Sequence, residues 1–150
     1  TLHTNDAPTA VARLIDIGVA PYNLAAALRV VTAQRLVRRL CVACRGPANE
    51  SAAALRAAGF CEAQLDGWVP YAAKGCAACH GVGYTGRIGV HQVMPVSDAT
   101  RELIVARAGT LAIAKQAHAE CVRTLREAAL ARVRDGTTSL AEALAATEVA

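Results

Sequence analysis

Aromatic side chains are scarce: five in 150 residues, Tyr22, Phe60, Trp68, Tyr71 and Tyr84, with a single methionine beside them. A chain so poor in large rings builds its core from small aliphatic groups. Much of its 54% hydrophobic share is alanine, which implies close helix packing and modest burial per residue. The same scarcity leaves little for stacking on nucleic-acid bases. Long apolar runs are absent too. Leu24–Val31 is short and broken by Arg29, so no segment has membrane-spanning length, and no secretory leader is recognisable. Low-complexity linkers and internal repeats are missing, and 19% charged residues with 54% hydrophobic ones exclude a disordered chain.

What is present is mildly basic. The formal net charge is +4, nearly all of the positive charge being arginine. This permits an anionic partner without requiring one. Arg35, Arg38, Arg39 and Arg45 form the dense basic patch, read as a solvated strand-and-loop face rather than a nucleic-acid footprint. The arginines from Arg101 to Arg134 are likewise read as solvated helix faces. The chain opens on "TLHTND" without an initiator methionine and is expected to be a fragment or an excised domain.

The pattern predicts helices first. Pro8 suits a first helical turn, Val11, Leu14 and Ile15 recur at helical spacing, and Gly18 can close the helix. Pro21 opens a second helix with Leu24, Leu28 and Val31 on one face, and Gln34–Leu40 reads as a strand. Cys41–Pro47 reads as a tight knuckle, and Ser51–Ala58 as a short helix closed by Gly59. Residues 75–89 hold five glycines and are expected to be irregular, followed by a strand over Ile88–Met94. Beyond Pro95 the chain predicts four helices, begun by Ser97, by Thr110, and by capping boxes at Thr124 with Glu127 and Ser139 with Glu142. The fold class is α+β, mostly helical.

Chemistry concentrates in four cysteines. Cys41-x2-Cys44 is followed, after a gap of 31 residues, by Cys76-x2-Cys79. Two knuckles bordered by Gly46 and Pro47, and by Gly75, Gly81 and Gly83, supply four thiolates, which suit a tetrahedral Zn²⁺. Iron also accepts four thiolates. Four protein ligands leave no open position for water, so such a site is structural. A thioredoxin-like redox pair fits less well, because that chemistry uses one such pair at a helix start. A zinc-ribbon module for nucleic acid is the alternative from a different class. Cys61 and Cys121 lie outside the pattern and are read as core filler, and His80 as a neighbour that leaves ligation to the thiols.

The blocks "TLHTNDAPTAVARLIDIGV", "AQRLVRRLC", "GCAACHGVGYTGRIGVHQVMPVSDATRELI" and "LREAALARVRDGTTSLAEALAAT" together resemble the C-terminal part of the type II secretion and type IV pilus ATPase superfamily. The likeness spans essentially the whole chain. It is nearest to the pilus-extension branch, with the type II secretion branch next. The resemblance implies the distal edge of a RecA-like P-loop ATPase domain over residues 1–40, a tetracysteine zinc subdomain over 41–94, and a C-terminal helical region over 95–150. It implies that "LHTND" is the family's histidine box, with His3 approaching the γ-phosphate, and that Cys41, Cys44, Cys76 and Cys79 hold zinc. It further implies a homohexamer on the cytoplasmic face of the inner membrane, acting with an inner-membrane platform protein and using ATP and Mg²⁺ in the full-length protein. No nucleic-acid partner is expected. These 150 residues hold no G-x-x-x-x-G-K-[ST] loop and no acidic Walker B segment, so the chain alone is not expected to hydrolyse ATP.

Overall fold

Helix α1 (Ala7–Asp16) begins where Asp6, in extended backbone, accepts a hydrogen bond from the Thr9 amide at 2.7 Å. Its first amide, that of Ala7, donates to the side-chain carbonyl of Gln92 at 2.8 Å, which also satisfies the polar end of a buried glutamine. The computed structural model describes Leu2 and residues 4–148.

Helix α2 (Pro21–Ala27) is shorter than its apolar spacing predicts. Leu28 turns extended, and Val31, expected on the helix face, lies in strand β1 (Val30–Leu40). Three β-branched residues in a row, Val30, Val31 and Thr32, favour strand over helix here. β1 pairs with the long strand β4 (Tyr84–Pro95). The Cys41 amide donates to Gly83 at one end and the Val96 amide to Arg29 at the other, so the two strands run antiparallel. The strand expected over Ile88–Met94 is therefore present and begins earlier: Tyr84–Arg87 is strand, not part of the irregular run its glycines suggest. Along β4, Val90, Gln92 and Met94 are buried in alternation.

The chain divides into two compact units, each built from two separate stretches: residues 1–34 with 91–125, and residues 35–90 with 126–150. The first unit holds α1, α2, α5 (Asp98–Val105) and α6 (Thr110–Ala119). Ala7, Val11, Leu24, Met94, Ile104 and Ile113 pack into its core. Small side chains allow α2 against α5 and α6 against both α1 and α5. Ser97 caps α5 as expected, whereas Gly109, not Thr110, is the cap residue of α6. Arg101 is no solvated arginine. Its guanidinium donates to the carbonyls of Ala25 and Leu28 at 3.0 and 3.2 Å, two of the acceptors left over at the end of α2, and pairs with Asp98 at 2.9 Å.

The second unit holds α3 (Ala52–Ala58), α4 (Glu62–Leu65), α7 (Leu125–Arg134) and α8 (Leu140–Ala146), with β2 (Gly46–Pro47) paired antiparallel to β3 (Tyr71–Ala72). Phe60 and Trp68 meet with ring centroids 5.1 Å apart, and the Arg134 guanidinium lies 4.8 Å from the Trp68 ring. Ser139 caps α8 by accepting from the Glu142 amide at 3.2 Å, but the predicted reciprocal box is replaced: the Glu142 carboxylate takes Arg38 at 2.7 Å. Among the described residues no helix is long and apolar enough to cross a membrane.

Candidate metal centre

Cys41 directly follows β1, and the amides of Cys44 and Arg45 fold back onto its carbonyl at 3.2 and 2.9 Å. This tight reversal turns both thiols of the first knuckle to one side. In the second knuckle Cys76 precedes a single 3₁₀ turn, Ala77–Cys79, and the amides of Cys79 and Gly81 return to the Cys76 carbonyl at 3.2 and 2.9 Å. His80 follows in a left-handed conformation, φ 54°, and is exposed, and it does not join the group of four potential ligands.

Two glycines make this path possible. A Cβ on Gly75 would stand 2.4 Å from the Gly81 carbonyl oxygen, and one on Gly83 would stand 2.6 Å from the Ala73 Cβ. Both residues also have φ near the left-handed region, at 90° and 79°. The close approach at Gly83 has a chemical use. Its amide donates to the Cys79 sulfur at 3.1 Å, as does that of Cys76 at 3.2 Å.

The four sulfurs converge. Cys41 to Cys76 is 3.9 Å, Cys44 to Cys79 is 3.8 Å, Cys76 to Cys79 is 3.7 Å, and all four lie within 4.8 Å of one another. A tetrahedron with zinc–sulfur bonds of about 2.3 Å has edges of about 3.8 Å. Three of the sulfur pairs lie at that spacing and all four within 4.8 Å, so the donor set fits such an ion. Among the described residues these four cysteines are the one group of three or more potential ligands able to share a metal. Cys41 and Cys79 are buried, and Cys44 and Cys76 half-buried.

The electrostatics are uneven. A backbone hydrogen bond at Ala43 holds the Cys41 thiol below its ordinary value, against the cost of burial. Burial pushes the Cys44 thiol up to about 12, helped by the neighbouring sulfurs of Cys76 and Cys79. Burial also opposes ionisation of Cys79, but the amides of Cys76 and Gly83 outweigh it and bring that thiol down to about 6. Four thiols so close together cannot all ionise without a cation to share.

Cys61 and Cys121 are not core filler: both are exposed. Cys61 caps α4, where its amide donates to Gln64 at 2.9 Å, and Cys121 lies in left-handed backbone, φ 59°, after α6. His3, the candidate of the opening segment, lies outside the described residues. Two arginines of the basic patch make specific contacts within the second unit, Arg38 while staying half exposed as the solvated-face reading expects and Arg45 in a half-buried position. Arg38 lies over the Tyr84 ring at 4.2 Å, and Arg45 over the Tyr71 ring at 4.7 Å while donating to the Gly136 carbonyl at 2.6 Å. The sequence signal for these roles was the position of Arg45 immediately after Cys44 and the glycine in "DGTTSLAEAL".

Residues 1–145 match the family described as Type II/IV secretion system protein. A type IV pilus assembly ATPase PilB of Thermus thermophilus is 42% identical over 147 residues, which is 98% of this chain and 16% of that protein. A type IV pilus assembly ATPase PilB of Myxococcus xanthus is 39% identical over 95% of this chain and 25% of its own length. A type II secretion system ATPase E of Vibrio cholerae is 39% identical over 99% of this chain and 29% of its own length. The chain thus spans less than a third of the length of these relatives.

Proposed function

Because the chain belongs to the type II/IV secretion system protein family, we propose that it is the C-terminal part of a hexameric type IV pilus extension ATPase, whose hydrolysis of ATP drives pilin assembly. The observation that carries this reading is the 42% identity to a pilus assembly ATPase across 98% of the chain. Residues 1–40 then supply the distal edge of a RecA-like core, with His3 in the histidine box that approaches the γ-phosphate of MgATP. Residues 41–94 form a structural zinc subdomain, and residues 95–150 the C-terminal helical region. The parent protein acts in the cytoplasm, peripheral to the inner membrane, on an inner-membrane platform protein.

Cys41, Cys44, Cys76 and Cys79 would hold the zinc. When bound, it supplies a cross-link between two knuckles distant in sequence and neutralises their thiolates. The chain's own contribution is to aim amides of Cys76 and Gly83 at one sulfur and to seat two of the four thiols away from water.

A type II secretion role is the second reading, favoured by the 39% identity to a type II secretion ATPase over 99% of the chain. A domain exchange separates the two. This segment is placed in the parent scaffold of a pilus assembly ATPase and of a type II secretion ATPase, each in a strain lacking its own enzyme. Restored pilus extension with failed secretion supports the first reading; the reverse selects the second. In the full-length protein, His3→Ala is expected to lower ATP turnover while nucleotide binding persists, and unchanged turnover would remove His3 from the mechanism.

A further inference from the structure

The turn between α7 and α8, residues 135–139, makes contacts on both sides of the first knuckle, with backbone ahead of it and with a side chain behind it. Ahead of Cys41, the Thr137 carbonyl accepts from the Leu40 amide at 2.8 Å, and the Thr138 hydroxyl donates to the Arg38 carbonyl at 2.8 Å. Behind Cys44, Arg45 donates to the Gly136 carbonyl at 2.6 Å. The second knuckle is reached as well. The Ser139 hydroxyl lies 2.7 Å from the Tyr84 hydroxyl, and Tyr84 follows Gly83, whose amide points at the Cys79 sulfur.

The fit around Gly136 is tight. Its φ is 73°, and a Cβ there would lie 2.9 Å from the Tyr71 ring and 3.1 Å from Arg45. Arg45 is thus held between a ring and a carbonyl, and the Tyr71 strand pairs with Gly46 and Pro47 just beyond the knuckle. Thr138 is fully buried, although it is polar. Plain docking of a helical hairpin requires none of this polar detail at the residues adjoining the ligands. Buried and satisfied polar contacts specify one geometry.

We infer that the turn 135–139 is the positioning layer of the metal centre, with Arg45 and Gly136 as its pin. It presets the spacing of Cys41 and Cys44, and occupancy of the centre in turn holds α7 and α8 in place. The inference rests on the reading of the four cysteines as a metal centre. By linkage, the two effects are equal: whatever the turn adds to metal affinity, the bound metal adds to docking of the hairpin. Lysine cannot replace Arg45, since it lacks the planar group that both stacks and donates.

The test uses the purified protein loaded with zinc, and with cobalt(II) as a spectroscopic probe. Zinc release to a chromogenic chelator is timed for wild type, Arg45→Ala, Arg45→Lys and Gly136→Ala. Ile104→Val, in the core of the first unit, serves as a variant that lowers thermal stability alone. Release is expected to quicken ~10-fold or more in Arg45→Ala and Gly136→Ala, the range found for groups that orient metal ligands. Arg45→Lys is expected to fall between, with the four-thiolate cobalt spectrum kept, and Ile104→Val to release at the wild-type rate. Chelation is expected to raise amide exchange across Leu125–Ala146. If Arg45→Ala cannot be purified folded, Arg45→Lys decides. Wild-type release rates in these variants beside a normal cobalt spectrum would overturn the positioning role and leave the metal centre standing. A wild-type protein that takes up neither ion would remove the metal centre and this inference with it.

Discussion

The sulfurs of Cys41 and Cys76, 35 residues apart in the chain, lie 3.9 Å from each other. Between them run two short helices, a two-residue strand pair and an exposed surface, with Leu55, Phe60 and Pro70 the buried side chains of that stretch. So small a core cannot offset the order it requires, at about 1–2 kcal/mol per residue for the backbone. An ion shared by four thiolates contributes on the order of 10 kcal/mol. Chelation is therefore expected to raise amide exchange in residues 41–94 before it does so in α1, α2 and α5. Cys79→Ser, which removes one buried ligand, should have the same pattern and lose stoichiometric metal in elemental analysis. Uniform protection with and without chelator would count against a structural metal.

Two glycines of like backbone test the second knuckle. Gly75 and Gly67 both have positive φ, 90° and 62°, but a Cβ on Gly75 meets a carbonyl oxygen at 2.4 Å whereas one on Gly67 meets nothing within 4 Å. Gly67→Ala should cost about 1 kcal/mol, the strain of a left-handed alanine. Gly75→Ala should cost at least ~3 kcal/mol, because the backbone must also move. Denaturant melts measure both, and equal losses would contradict the packing at Gly75.

Arg101 offers a test in the first unit. Its side chain is three-quarters buried and closes the C-terminal end of α2 through Ala25 and Leu28. Removing a charged donor from buried carbonyls costs about 1.5–3 kcal/mol. Arg101→Ala is expected to lose that much in chemical denaturation, and Arg101→Lys to recover only part, since one ammonium does not reproduce the two-pronged contact.

Acid should weaken the contact between α8 and β1. The hydrogen bond from Arg38 holds the Glu142 carboxyl below its usual value of 4.5, although burial opposes this. The folded state binds the proton less readily than the unfolded state. The stabilisation is therefore complete above the unfolded value and is lost as pH falls through the lower folded one. Thermal melts of wild type and Glu142→Gln should differ at about pH 6 and draw together only as pH falls below the usual carboxylate range, through the lowered folded-state value. A difference that holds constant through this window would assign the contact no role.

Much of the local structure was legible in the sequence because it depends on neighbours in the chain. Ser51, Ser97 and Ser139 begin helices where a side-chain oxygen can meet an amide three residues on, and Gly59 ends one at φ 119°. The four thiols were legible by type and spacing, since few other chemistries use two glycine-bordered Cys-x-x-Cys pairs. Where the reading failed, a distant group had decided. Val31 left its helix because β4 offered a pairing partner, and Tyr84–Arg87 became strand for the same reason.

Composition and spacing, taken alone, determined most of the helices, the serine caps of α3, α5 and α8, and the identity of the four sulfurs, because those follow from forces acting over a few residues. Only the tertiary structure decided that residues 126–148 join the cysteine-bearing stretch while 98–125 join the opening helices. It also decided that Arg45 and Gly136, 91 residues apart, meet at 2.6 Å. Such a contact depends on shape and on which polar groups burial leaves unsatisfied, and neither quantity exists until the chain has closed upon itself.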